Sequence, residues 1–138
     1  MTKPHSAFLA LAALLLFLVP AGLASADDVA DSSDKPTVVK IHANWCGTCQ
    51  RIEGTWDQLK ATYGDNAKFV VFDVTDKESV AKSKAEAKKL GLTGVFDEYK
   101  SRTGTIAVVG PDGETVSVFK GVEDPSRYDE ALGQACTS

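Results

Sequence analysis

Three cysteines carry the reactive chemistry of this sequence: Cys46 and Cys49, separated by Gly47 and Thr48, and Cys136, two residues before the final Ser138. A Cys-x-x-Cys pair serves disulfide exchange, metal ligation or a small structural bridge, and its place in the fold distinguishes these uses. Thr37 to Ala43 (TVVKIHA) has the β-branched content and length of a strand and runs directly into Asn44-Trp45-Cys46. Beyond it, Ile52, Trp56, Leu59 and Tyr63 recur at the spacing of one helix face, ending near Gly64. Cys46 therefore falls at a strand-to-helix junction, beside free backbone N–H groups and the positive end of a helix dipole, where a thiolate is stabilised. Cys49 lies one turn further on, close enough to bridge back. That arrangement suits a two-step exchange in which Cys46 attacks a disulfide and Cys49 resolves the mixed disulfide.

The alternatives weigh less. A zinc site wants four ligands, and after the leader discussed below the chain offers Cys46, Cys49, Cys136 and His42. A copper-binding carrier is the version of metal binding that stays open. A purely structural disulfide closing so short a loop removes little unfolded-state entropy and is a poor staple. Cys136 is left over from any Cys46–Cys49 bridge, and its place past the last apolar turn marks it as dispensable for exchange.

The remaining elements must position this pair. Lys68 to Val74 (KFVVFDV) is a near-continuous apolar strand, expected to be covered on both faces. Glu78 to Leu90 is a helix with Gly91 as its C-cap, and Thr105–Val109 and Thr115–Lys120 flank Pro111-Asp112-Gly113 as a hairpin. Asp124 caps a last helix starting at Pro125 and running to about Ala135. Between the second helix and the hairpin, Val95, Phe96 and Tyr99 share one side of a short helical turn, as core cover in preference to a substrate lip. The order is β-α-β-α-β-β-α. Strands joined through helices are expected to be parallel, giving a mixed sheet with helices on both faces, an α/β fold.

At the start of the chain, Lys3, the apolar run Ala7–Val19 and Ala24-Ser25-Ala26 have the pattern of a cleaved secretory signal over residues 1–26. Thirteen apolar residues fall short of the roughly 18 needed to span a bilayer, so only an uncleaved signal would bring a membrane association. Residues 27–36, opening Asp27-Asp28, read as an acidic linker, and 37–138 as one domain. Without Lys3 the chain carries 14 basic against 19 acidic side chains, a net charge of −5, which argues against nucleic acid as a partner. Export places the cysteines outside the reducing cytosol, periplasmic or secreted, with a monomer expected.

Val38 to Cys49 (VVKIHANWCGTC), within this order of elements and with Gly121 after the last strand, resembles the strand-loop-helix signature of the thioredoxin family. The resemblance covers about 100 residues and implies a minimal thioredoxin-like fold. It implies a thiol:disulfide oxidoreductase with Cys46 and Cys49 as its redox pair, Trp45, Gly47 and Thr48 shaping the surface that meets substrate, and no cofactor. Protein disulfides or dithiols and a separate redox partner are the implied partners, with the reductase direction favoured.

The chain also departs from the family. Where thioredoxins carry a cis-proline, this sequence has Thr105 after Gly104, a bond expected to be trans because a cis bond before a non-proline costs roughly 2.5 to 4 kcal/mol. Where the family often kinks the first helix with proline stands Gly54, which permits a bend without enforcing one. The place of a buried family acid holds Lys40. Its charge is expected either to pair with Asp73 on the neighbouring strand or to tune the cysteines, with His42 on the same strand face as a second modulator of their protonation.

Overall fold

The computed structural model describes residues 34–137; the expected signal (1–26) and most of the expected linker (27–36) lie outside the described residues. The first strand, β1 (Thr37–His42), runs through the middle of the structure. Its side chains alternate: Val38 packs with one apolar cluster, Val39 and Ile41 with another on the opposite face. Five of its six residues are buried. A strand so enclosed keeps its register, and its end is a fixed platform for the loop that follows.

The four-stranded sheet has the order β2-β1-β3-β4, with β2 at Lys68–Asp73, β3 at Thr105–Val109 and β4 at Thr115–Lys120. β2 runs parallel to β1, while β3 runs antiparallel to it. The mixed sheet is as expected, but the rule that helix-joined strands are parallel fails between β2 and β3. Two helices rather than one connect them: α3 (Lys77–Lys89) and α4 (Thr93–Tyr99). α3 returns the chain from the end of β2, and α4 with the turn after it brings the chain back, so that β3 starts beside the end of β1, with Thr105 opposite Ile41.

β2 also corrects an expectation. It is an edge strand with Val71 39% exposed, so its apolar run is not covered on both faces. The apolar sequence KFVVFD did not distinguish an edge strand with one open position from a central one.

Helices cover both faces. On one, α2 (Glu53–Tyr63) supplies Ile52 at its N-cap, Trp56 and Leu59, and α5 (Asp129–Ala135) supplies Ala131, Leu132 and Ala135, against Val38, Ile106 and Val108. On the other, Leu92, Val95, Phe96 and Tyr99 pack on Val39, Phe72 and Ala107, with Phe96 edge-on to Phe72 at 5.3 Å. Val95, Phe96 and Tyr99 are thus core cover, as expected. α3 ends in a Schellman arrangement: Gly91 at φ +71°, its N–H on the Lys88 carbonyl, and the Leu92 N–H on Ala87. Asp76 caps the other end, and the Ser79 backbone N–H it accepts holds its carboxyl below the usual range. The last expected helix opens as a 3-10 turn (Pro125–Tyr128) capped by Asp124 and continues as α5.

Tyr128 closes the α5 face. It is fully buried, donates to the Val122 carbonyl at 2.9 Å, and has its hydroxyl pushed by burial from the ordinary 10.0 to about 12. Tyr63 is likewise raised to about 12, chiefly by donating to the Asp129 carboxylate at 2.6 Å. A raised folded-state value means that stability is full below the unfolded value and is lost as the pH climbs toward the folded one. We therefore expect wild-type stability to fall between pH 10 and 12. Tyr128→Phe should be less stable by about 1 kcal/mol at neutral pH, where a hydrogen bond is lost. The gap should narrow over that alkaline interval, as urea melts across pH will show.

Candidate active site

The Cys46–Cys49 pair sits where β1 hands over to the first helix, and the two form a disulfide with 5.2 Å between their Cα atoms. Cys46 is the N-cap of α1 (Gly47–Arg51), in extended conformation, with its own N–H on the Ala43 carbonyl at 3.0 Å. Its Sγ accepts the Cys49 backbone N–H at 3.1 Å. A cap sulfur that takes an otherwise orphaned N–H is in the position that favours a thiolate. The helix itself is short: it breaks at Ile52 (φ −86°, ψ 4°) before α2 begins, two residues ahead of Gly54. The local N–H, more than an extended helix dipole, therefore acts on Cys46.

The two sulfurs differ in setting. Cys46 is 6% exposed, Cys49 fully buried, with its Sγ 3.7 Å from the Ile41 carbonyl oxygen. Beside them Trp45 is the most exposed large apolar side chain among the described residues, at 66%, yet its indole N–H is fixed on the Thr75 carbonyl at 3.1 Å. Thr75 Oγ1 also accepts the Asn44 N–H, and Asp73 accepts from Thr75 N and Oγ1. The loop bearing Trp45 is thereby tied to the loop after β2. Gly47 is exposed, and Thr48 lies against Gly104 and Gly121.

Thr105, in place of the family proline, is 1% exposed at the start of β3, and its preceding bond is trans. Gly104 touches the site more closely: a Cβ built on it would stand 3.6 Å from Cys46 Sγ. His42 Nε2 lies 3.3 Å from Asn44 Oδ1, and neither His42 Nδ1 nor Thr105 Oγ1 has a partner among the described residues.

Lys40 is buried as expected, but Asp73 is not its partner. Its ammonium meets both oxygens of Glu53 on α2, at 3.0 and 2.9 Å, and lies 4.9 Å from the centre of the Trp56 ring. Lys40 projects to the α2 face, where a helix residue reaches it, while the Asp73 carboxylate is engaged by Thr75. Glu53, Gly104, Thr75 and the Arg51–Glu123 pair were missed from sequence. Only Glu53 carried a usable signal there: an acid in the first turn of α2, four residues after Cys49.

Cys136 is an exposed free thiol at the end of α5, lining a surface cavity with Pro36 and Tyr63 at the start of β1, whereas Cys46 follows the end of that strand. The four candidate metal ligands are thus not brought together. No group of three or more His, Cys, Asp or Glu side chains suited to a metal occurs among the described residues, and the carrier reading finds no support.

A parallel pair next to an antiparallel hairpin, two helices on each face and a Cys-x-x-Cys capping the first helix define a thioredoxin-like fold. Residues 24–88 match the Thioredoxin family model. The chain is 34% identical to a thioredoxin of Geodia cydonium over 71 residues, which are 51% of this chain and 62% of that one. It is 34% identical to the thiol:disulfide interchange protein TxlA of Synechococcus elongatus over 47 residues, 34% of this chain and 25% of that protein. The solved structure of the exposed lipoprotein thioredoxin of Streptococcus pneumoniae superposes with a TM-score of 0.55 at 19% identity, covering 75% of this chain and 87% of that one. The chain spans less than two thirds of the length of these curated relatives. The chain thus has a thioredoxin-like fold, and its sequence likeness to the Thioredoxin family model extends over residues 24–88.

The Lys40–Glu53 pair generates an asymmetric prediction. The Lys40 side chain is 3% exposed and the Glu53 side chain 50%, so removing either leaves a different remnant. Lys40→Met leaves a carboxylate that water can solvate and is expected to cost less than about 1 kcal/mol. Glu53→Gln strands a buried ammonium and is expected to cost roughly 1 to 3 kcal/mol. Thermal melts of the two variants that rank them in the opposite order would refute this account of the pair.

Proposed function

We propose that the chain is a protein thiol:disulfide oxidoreductase that uses Cys46 as nucleophile and Cys49 as resolving thiol. The observation that carries the proposal is the N-cap geometry: Cys46 Sγ accepts the Cys49 N–H, while Cys49 is bonded to it from full burial. The match of residues 24–88 to the Thioredoxin family model and the naming of one relative as a thiol:disulfide interchange protein agree with it.

In the reductive direction, the Cys46 thiolate attacks one sulfur of a substrate disulfide. The substrate S–S bond breaks, and its other sulfur leaves with the electron pair as a thiolate. Cys49 then gives up its proton and attacks Cys46 Sγ, releasing the second substrate thiolate and closing the Cys46–Cys49 bond. Two electrons have moved to the substrate; the Cys49 proton goes to one of the two substrate thiolates and solvent protonates the other, and a dithiol of a redox partner returns the site to its starting state. Burial leaves Cys49 accessible only to its neighbour, which confines it to the second step. Trp45, Gly47 and Thr48 form the surface that substrate meets, and the exposed indole supplies apolar contact without needing to be ordered, since Thr75 already holds it. Thr105 and Gly104 form the floor beside Cys46, while Lys40 is taken up by its pair with Glu53 and His42 stands beside Asn44 at the end of β1.

Cys46→Ser is expected to abolish reduction of a model protein disulfide, while Cys49→Ser still attacks and accumulates a mixed disulfide. Equal alkylation rates of the two thiols at neutral pH would sink the assignment.

The leader pattern supports export to the periplasm or medium, with 27–36 as linker and 37–138 as the working domain. Mass spectrometry of the protein from an exporting host is expected to show a chain starting at Asp27. A full-length intracellular product would overturn this reading.

A further inference from the structure

Thr48, the second residue between the cysteines, is held on both sides of its side chain. Its methyl group fills a notch between two glycines that flank the β3–β4 hairpin, far along the sequence from Thr48. A Cβ on Gly104 would meet Thr48 Cγ2 at 2.6 Å and Cβ at 2.8 Å, and a Cβ on Gly121 would meet the same methyl at 3.1 Å. Both glycines have positive φ, +78° and +63°, and the Gly121 N–H donates to the Gly104 carbonyl at 2.9 Å. The notch is thus one backbone unit in which only glycine fits, by conformation and by contact.

The hydroxyl of Thr48 is held separately. It accepts from Arg51 Nη2 at 3.1 Å, and Arg51 Nε donates to Glu123 Oε1 at 3.3 Å. The Glu123 backbone carbonyl in turn accepts Thr55 Oγ1 at 2.6 Å. Segment 121–123, whose Val122 carbonyl also takes the Tyr128 hydroxyl, is therefore joined to the cysteine-bearing helices at Thr48, Arg51 and Thr55. The Arg51–Glu123 ion pair alone is solvated and weak, its side chains 60% and 58% exposed. Its effect lies in adding to a contact already fixed by the notch.

We propose that the Gly104–Gly121 notch and the Arg51–Glu123 clamp act through Thr48 as a positioning element that sets the equilibrium between dithiol and disulfide. This rests on the exchange reading of Cys46 and Cys49. Closing the disulfide requires the turn Cys46-Gly47-Thr48-Cys49 to be ordered, and Gly47 has nothing within 4 Å of where its Cβ would be. Thr48 is the residue of that turn whose side chain the rest of the fold grips. A turn that the fold already grips needs little further ordering to close, which raises the effective concentration of one sulfur at the other. The clamp thus favours the disulfide and makes the dithiol the stronger reductant.

The test is equilibration with glutathione, in which the protein dithiol and glutathione disulfide give the protein disulfide and two glutathione thiols. Thr48→Ser deletes the methyl in the notch and keeps the hydroxyl for Arg51. It is expected to lower the equilibrium constant for disulfide formation roughly fivefold, as for freeing about one residue of the turn. Thr48→Val keeps a methyl in the notch and removes the acceptor, and its shift should be smaller. Gly121→Ala should lower the constant as well, and Gly121→Ala combined with Thr48→Ser should regain part of that loss, because the added Cβ then has room. Melting of the oxidised forms separates this from a merely structural role, which would lower stability without moving the constant. Thr48→Ser and Thr48→Val both staying within twofold of wild type overturns the inference while leaving the exchange reading intact. A wild-type pair that never equilibrates with glutathione overturns both.

Discussion

The site depends on the register between β1 and β3. Ile41 faces Thr105 across the antiparallel pair, and from this level a short ladder crosses the sheet beneath the cysteines. The Gly104 N–H donates to the Ile41 carbonyl at 2.9 Å, and the Gly121 N–H to the Gly104 carbonyl at the same distance. The Ile41 carbonyl that anchors this ladder also lies against Cys49 Sγ. A shift of one residue would turn the side chains of β3 to the wrong faces and remove Gly104 from Cys46. The burial of Val38, Val39 and Ile41 on opposite sides of the sheet therefore fixes the end of β1 to which the reactive loop is attached.

Electrostatics at this end are more local than a helix-terminus argument suggests. α1 has five residues and breaks at Ile52, so an extended dipole does not point at Cys46. The ammonium of Lys40 is neutralised by a carboxylate in contact with it, so the pair presents a small dipole rather than a unit charge to the surroundings. What remains specific to Cys46 is the Cys49 N–H on its sulfur, a donor that Cys49 Sγ, seated on a carbonyl oxygen, lacks. Donor on one sulfur and acceptor beside the other agrees with the division of roles proposed above, favouring the first as thiolate and the second as thiol.

Features encoded within a few residues of one another were legible in the sequence. The Thr37–Ala43 strand, the Cys46 cap, the Pro111-Asp112-Gly113 hairpin, Gly91 ending α3 and Asp124 capping the last turn all rest on local chemistry, and each is found in place. Features depending on how segments meet were not. The direction of β3 turns on Thr93–Tyr99 being a second connecting helix, and the exposure of Val71 on β2 being last in the sheet. The partner of Lys40 was sought on the adjacent strand, where register places Val71 and Ile106, whereas its side chain leaves the sheet and meets α2. Likewise nothing in the sequence joins Thr48 to Gly104 and Gly121, which lie more than fifty residues further on and touch it only when the sheet is complete.

Thr105 shows what the family proline position requires in this chain. A proline there constrains the backbone by its own ring, whereas Thr105 is constrained by being the first residue of a paired strand, opposite Ile41 on one side and Lys120 on the other. Its β-branched side chain suits that place, at the cost of burying a hydroxyl with no protein partner among the described residues. The preceding Gly104, at positive φ and bonded to Ile41 and Gly121, makes the bend that lets this backbone pass under the cysteines. Strand pairing plus one glycine thus bring the loop against Cys46 without a proline, and the approach of the loop to the sulfur is set by the sheet itself.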